Sequence, residues 1–141
     1  MSATQYSGMS FTKRMTRTPR PYDIDRGADA VVALDGLDPV LTDLVVGAGG
    51  SSPYLLGLMQ KESAWLLPAL DDPEAAVDQL FAKLPNVALD DLPLVLRAAK
   101  RQIALLTGLA DLGGVWGLSK VTQTLTDFGD LAVDVLSLIH I

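Results

Sequence analysis

From Leu92 to Ala110 the chain places apolar residues at Leu92, Leu96, Ala99, Ile103, Leu106 and Ala110, in steps of 4, 3, 4, 3 and 4. This spacing returns to one side of a helix and is incompatible with the alternation of a strand. A second row, Leu94, Ala98, Leu105 and Leu109, lies beside the first and leaves Arg97, Lys100 and Arg101 as a narrow polar wedge. A helix apolar over most of its circumference must be covered on more than one side. The pattern therefore predicts a central helix over 92–112, around which the remaining elements are arranged.

A second helix follows. Leu118, Val121, Leu125, Phe128, Ala132 and Val135 step 3, 4, 3, 4 and 3, with Asp127, Asp130 and Asp134 on the opposite face. Ser119 has the chemistry of an N-cap, since its hydroxyl can accept from first-turn amides. Between the two helices, residues 111–118 carry three glycines, which predicts that the first helix stops near Gly113 and the chain turns back. Such a hairpin cannot bury the first helix on all sides, so it depends on the elements before it.

Those elements share one device, an Asp or Ser followed by proline. Asp38-Pro39, Ser52-Pro53, Asp72-Pro73 and Asp91-Leu92-Pro93 each precede an apolar run. Proline suits the first helical turn, where its missing N–H has no intrahelical role, and the preceding oxygen caps free amides. These starts predict helices near 39–46, 53–60, 73–84 and 92–112, with a short helix at 61–70 ended or kinked by Pro68 and another at 28–34. Gly47-Ala-Gly-Gly50 and Pro85-Asn86 read as links. With no hairpin-strand pattern and no fixed-period repeat, the expected fold is all-α, an irregular bundle of five to seven helices.

The chain's 141 residues suffice for one domain, and cysteine is absent, which excludes disulfides and thiolate chemistry. No apolar run reaches the ~20 residues of a membrane-spanning helix, and residues 1–26 lack a signal-peptide core. A cytoplasmic location without membrane attachment is expected. Charge is uneven: residues 1–26 hold five cations and two acids (+3), residues 27–141 six cations and fifteen acids (−9). So acidic a body argues against nucleic acid as a partner. Residues 1–26, rich in Ser, Thr and Arg and bearing Pro19 and Pro21, read as a flexible basic leader, with 27–135 as the helical domain.

Candidate chemistry is sparse. Gly49-Gly50-Ser51-Ser52 has the composition of an anion-binding loop, but no strand precedes it and no Gly-Lys-Ser/Thr follows, so a turn and N-cap account for it. Asp23 and Asp25 form the one Asp-x-Asp, a spacing that can hold Mg²⁺ on a rigid strand; here they belong to the leader. His140, the single histidine, has no Ser or Asp arranged beside it. Arg97, Lys100 and Arg101 are read first as a solvated face and second as a docking surface for an acidic element. Trp65 and Trp116 are expected to plug the core at joints between helices. No residue is assigned a catalytic, cofactor-binding or metal-binding role.

In order along the chain, Ser52-Pro-Tyr-Leu-Leu-Gly-Leu-Met59, an Asp-Pro-Glu helix start, the run Leu96–Trp116 ending in ADLGGVW, and the Lys120–Asp134 helix together resemble the N-terminal region of the glutamine synthetase adenylyltransferase/adenylyl-removing family. The resemblance covers about residues 38–135, and the Ala110–Trp116 joint resembles the alphaproteobacterial branch most. It implies a large cytoplasmic enzyme with two nucleotidyltransferase domains. One adds AMP from ATP to a tyrosine of glutamine synthetase, and the other removes it by phosphorolysis. Glutamine synthetase and a PII-type signalling protein are the implied partners, and Mg²⁺ and ATP the implied cofactors.

In that family a Gly-Gly-x-Glu-Leu turn and an Asp-x-Asp pair follow the region resembled here. Asp23 and Asp25 precede it and do not match, so no catalytic residue carries over. The resemblance thus implies a helical lead-in to an α/β nucleotidyltransferase domain that lies beyond this chain, inactive alone and needing no cofactor of its own. The ending Leu136-Ser-Leu-Ile-His-Ile141 is apolar and uncapped, and resembles translated sequencing-adapter sequence, which would make 136–141 a non-native tail. A free-standing acidic helical interaction module is the alternative reading.

Overall fold

The computed structural model describes residues 9–138. Among them seven α-helices and two 3₁₀ turns form, and no strand. The helices are α1 (Phe11–Arg14), α2 (Ile24–Ala33), α3 (Thr42–Ser51), α4 (Pro53–Ala69), α5 (Pro73–Lys83), α6 (Leu92–Leu112) and α7 (Leu118–Ser137); the 3₁₀ turns are Pro39–Leu41 and Leu84–Asn86. The protein is an all-α bundle.

As its double apolar row requires, α6 lies at the centre, flanked by α4 and α7 and touched by α3 and α5. Leu92, Ala99, Ile103, Leu106 and Ala110 are buried, as are Leu105 and Leu109 of the second row. They pack with Leu44, Leu58, Met59 and Leu66 in one continuous core. The second row fails at its N-terminal end, where Leu94 is 70% exposed although Leu92 in the same turn is buried.

The helix starts behave largely as the Asp/Ser-Pro pattern predicts. Asp38 accepts from the amide of Val40, Ser52 from Leu55 and Asp72 from Ala75, at 3.0–3.1 Å. Asp91 makes no side-chain cap, its backbone already being helical. Ser119 does not cap α7 either: Gly117 holds the N-cap position and Ser119 falls inside the first turn, exposed. We therefore expect Ser52→Ala to cost about 1 kcal/mol in a denaturant titration, and Ser119→Ala almost nothing.

The elements between these starts agree with expectation in part. α4 runs from Pro53 in two helical pieces that meet at a kink at Glu62 (φ −116°, ψ 22°), in line with the expected division between 53–60 and 61–70, and Pro68 lies in its last turn. Gly47-Ala-Gly-Gly50 is not a link but the buried second half of α3. These glycines are required by close approach. A Cβ on Gly47 would overlap the carbonyl oxygen of Pro19, and one on Gly50 would come within 2.6 Å of the oxygen of Asp23. α2 meets α3 in the same way, through Gly27 against the backbone of Val46 and Gly49 against Ala30.

Residues 9–26, expected to belong to a flexible leader, fold onto the body. Phe11 is fully buried, and its amide donates to the oxygen of Leu70. The amides of Thr16 and Arg17 donate to the oxygen of Gly113 at 2.8 and 3.2 Å. Phe11 enters the core, and the side chains of Arg14, Arg17 and Arg26 donate to Glu74 and to the oxygens of Asp111 and Gly50.

The apolar face of α7 is rotated from the predicted seam. Thr124 and Val135 are buried, and Val121, Phe128 and Leu131 are partly buried, while Leu118 is 78% exposed and Leu125 is exposed as well. The buried threonine fits because its hydroxyl donates to the oxygen of Lys120 at 2.8 Å. Leu136 and Ser137 complete the helix, so these two residues of the expected tail are helical; His140 lies outside the described residues.

Candidate functional site

Two polar clusters are built into the bundle. In the first, Glu74 in the opening turn of α5 gathers two distant segments. Arg14 of α1 donates to Oε2 at 2.7 Å and pairs with Oε1 at 2.6 Å, and the Trp116 indole donates to Oε1 at 2.8 Å. The side chains of Arg14 and Glu74 are 6% and 12% exposed. Burial pushes the Glu74 carboxyl up, but hydrogen bonds from Arg14, Trp116 and a backbone amide, with the Arg14 charge, outweigh it and hold the carboxyl below its ordinary value. Trp116 sits in the α6–α7 joint, where Gly114 takes φ +69°, a left-handed conformation that glycine adopts without cost. Lys120 lies over the indole ring, 5.3 Å from its centre.

The second cluster lies between α4 and α6. Buried Glu62, at the break in α4, accepts from Arg101 Nε at 2.8 Å and from Gln102 Nε2 at 2.9 Å. The helical break and the ion pair coincide, so this carboxylate faces α6 from a turn that is not helical. Beside it a cleft of about 420 Å³ is lined by Lys61, Arg97, Lys100 and Arg101 around Tyr54 and Leu58. The trio on α6 thus acquires a fourth cation from α4. Spacing within α6 reveals only its own three cations; Lys61 joins through packing between elements 36 or more residues apart.

The remaining candidates separate. Asp23 caps α2, accepting from the amide of Arg26 at 3.1 Å, and Asp25 lies in the exposed first turn of the same helix. A carboxylate committed to a helix cap, with no third ligand beside it, does not fit a Mg²⁺ site. No group of three or more His, Asp or Glu among the described residues is placed to hold a metal. Of the glycine-serine stretch, Gly49, Gly50 and Ser51 end α3, Ser51 donates to the oxygen of Arg20 at 2.8 Å, and Ser52 caps α4. Trp116 plugs a joint as expected, whereas Trp65 sits within α4, half-buried. No described helix is long and apolar enough to cross a membrane. The arrangement among the described residues offers docking and clamping chemistry.

Comparison with known proteins places this scaffold. No family model matches the chain, and no solved structure matches it. Curated relatives do. The chain is 38% identical over 109 residues to the bifunctional glutamine synthetase adenylyltransferase/adenylyl-removing enzyme of Xanthobacter autotrophicus, covering 72% of this chain and 11% of that protein. Enzymes of the same name match from Rhodopseudomonas palustris strain BisB5 (41% over 83 residues, 55% of this chain and 8% of the relative) and Rhizobium meliloti (31% over 122 residues, 79% and 12%). The chain therefore spans about a tenth of the length of the curated relatives it matches. Matches over 55–79% of the chain, to proteins of one name and largely from one bacterial class, agree with the resemblance read from the SPYL segment and the ADLGGVW joint. This chain belongs to the bifunctional glutamine synthetase adenylyltransferase/adenylyl-removing enzyme family.

Proposed function

We propose that the chain is the N-terminal helical lead-in of the adenylyl-removing half of such an enzyme, supporting a nucleotidyltransferase domain and having no turnover of its own. The observation that carries this reading is the asymmetry of the match, which takes in 72% of this chain but 11% of the relative from Xanthobacter. A helical body that accounts for a tenth of an enzyme fits a supporting role.

On this reading residues 27–135 form the helical domain, with 9–26 packed along it. Glutamine synthetase and a PII-type protein engage the full-length enzyme in the cytoplasm, and Mg²⁺ and ATP bind its catalytic domains. Asp23 and Asp25 do not fit the metal, so no catalytic step is assigned to this chain.

Two measurements test the proposal. Incubating the 141-residue chain with adenylylated glutamine synthetase, phosphate and Mg²⁺ should release no AMP group; sustained removal would overturn the supporting role. Reading the source DNA past the codon for Ile141 should reveal Gly-Gly-x-Glu-Leu followed by Asp-x-Asp. A stop codon there would favour a free-standing acidic interaction module.

A further inference from the structure

We propose that the cleft between α4 and α6 is a docking site for an acidic amphipathic helix of a partner protein. Four of the six cations after residue 26 converge there, Lys61 from α4 and Arg97, Lys100 and Arg101 from just over one turn of α6. The same span holds fifteen acids, enough to neutralise every one of them. Yet Lys61, Arg97 and Lys100 form no ion pair among the described residues, and none of the described residues lining the cleft is acidic. Arg101 is the exception, and its Nε is anchored by buried Glu62. Like charges gathered without counter-charge repel one another, and an opposite charge brought by a partner relieves that repulsion.

The apolar surroundings narrow the class of partner. Leu58 lies in the cleft, and Tyr54 stands at it 63% exposed. On the far side of Arg97 and Lys100 a second groove of about 330 Å³ opens between α6 and α7, lined by Leu96, Phe128 and Leu136. The cations therefore form a ridge with an apolar groove on either side. A helix with a stripe of carboxylates and apolar residues flanking it at spacings of three and four matches that profile. A free phosphate would use the ridge alone and leave both grooves open. Nucleic acid would bring its phosphates against an acid-rich body.

The test uses a labelled synthetic helical peptide with a Glu stripe flanked by Leu, titrated with the 141-residue chain by fluorescence anisotropy. Binding should weaken as salt rises, and should fall about tenfold or more in Arg97→Glu/Lys100→Glu and in Lys61→Glu. Both changes are on exposed side chains, and unchanged circular dichroism confirms folding. A matched peptide with Gln for Glu, and one with Ala for Leu, should each bind more weakly than the parent. No binding of the Glu peptide overturns the proposal, as does equal binding by the Gln peptide or by both protein variants. Displacement by inorganic phosphate at low concentration, with indifference to the Leu-to-Ala change, would instead define a small-anion site and also overturn it.

Discussion

Glu74→Ala should unfold at a temperature roughly 10 °C below the parent, a loss of about 3 kcal/mol. The size follows from what the change leaves behind. Glu74 contributes little apolar area, but its carboxylate receives the buried guanidinium of Arg14 and the indole N–H of Trp116. Removing it takes the Glu74 carboxylate away from a 6%-exposed cation and leaves the Trp116 N–H donor without this acceptor. The effect also spreads along the chain, since α1, α5 and the α6–α7 joint are tied at this one side chain.

Glu74→Gln separates charge from shape, because it keeps an acceptor for one donor and loses the ion pair. It should fall between the parent and Glu74→Ala. The pH dependence has a defined sign. The folded-state pKa of Glu74 is lowered, so its contribution is complete above the ordinary carboxylate range. It is lost as pH falls from that range through the lowered folded value, because the unfolded chain takes up the proton first. Thermal melts of the parent and Glu74→Gln should therefore converge as the medium is acidified through this window. A stability gap independent of pH there would show that the pair contributes by shape alone.

Gly47→Leu should release the N-terminal segment. The position is helical and buried, and even a Cβ would overlap the carbonyl oxygen of Pro19. That neighbour is backbone and cannot rotate away, so the stretch carrying Pro19 must lift from α3. Overpacking of this kind costs about 1–3 kcal/mol, and more where backbone must move. Limited trypsin digestion gives a local readout, since Arg17, followed by Thr18, lies in the segment and should be cleaved more rapidly in the variant, whereas Arg20 precedes Pro21 and resists trypsin. Gly57→Ala is the matched control: it too is helical, but a Cβ there meets nothing within 4 Å, and the change should stabilise by roughly 0.5–1 kcal/mol. Parent-like resistance to trypsin in Gly47→Leu would contradict the close approach of this segment.

These two predictions share a feature, in that neither residue declares its role along the chain. Gly47 and Gly50 look like loop residues because glycine is a helix breaker by propensity. Their burial in α3 reflects the need for residues 19–23 to approach a helix surface closely. Glu74 looks like one of several acids at a helix start, where the macrodipole favours negative charge. Its partners are 60 and 42 residues away. Glu62 is similar in part: the helix boundary near residue 60 is legible, but the pairing of this carboxylate with Arg101 of α6, 39 residues away, is not.

What the sequence by itself determined is the local layer: all-α character, helix starts at Asp38, Ser52 and Asp72, the centrality of α6, and the turn after it. Each rests on short-range physics, whether the 3.6-residue period, a cap satisfying a nearby amide, or glycine permitting φ +69° at Gly114. The family was legible as well, through the order of the SPYL segment, the ADLGGVW joint and the helix after it. Only the tertiary structure decided which face of α7 turns inward, that residues 9–26 belong to the body, and that Lys61 joins Arg97, Lys100 and Arg101. Those outcomes depend on long-range pairings of charge and shape. Phe11 enters a core built from later helices, and a carboxylate is buried only where a guanidinium from another helix meets it. No local pattern records such pairings, because each partner is unremarkable until the fold brings the two together.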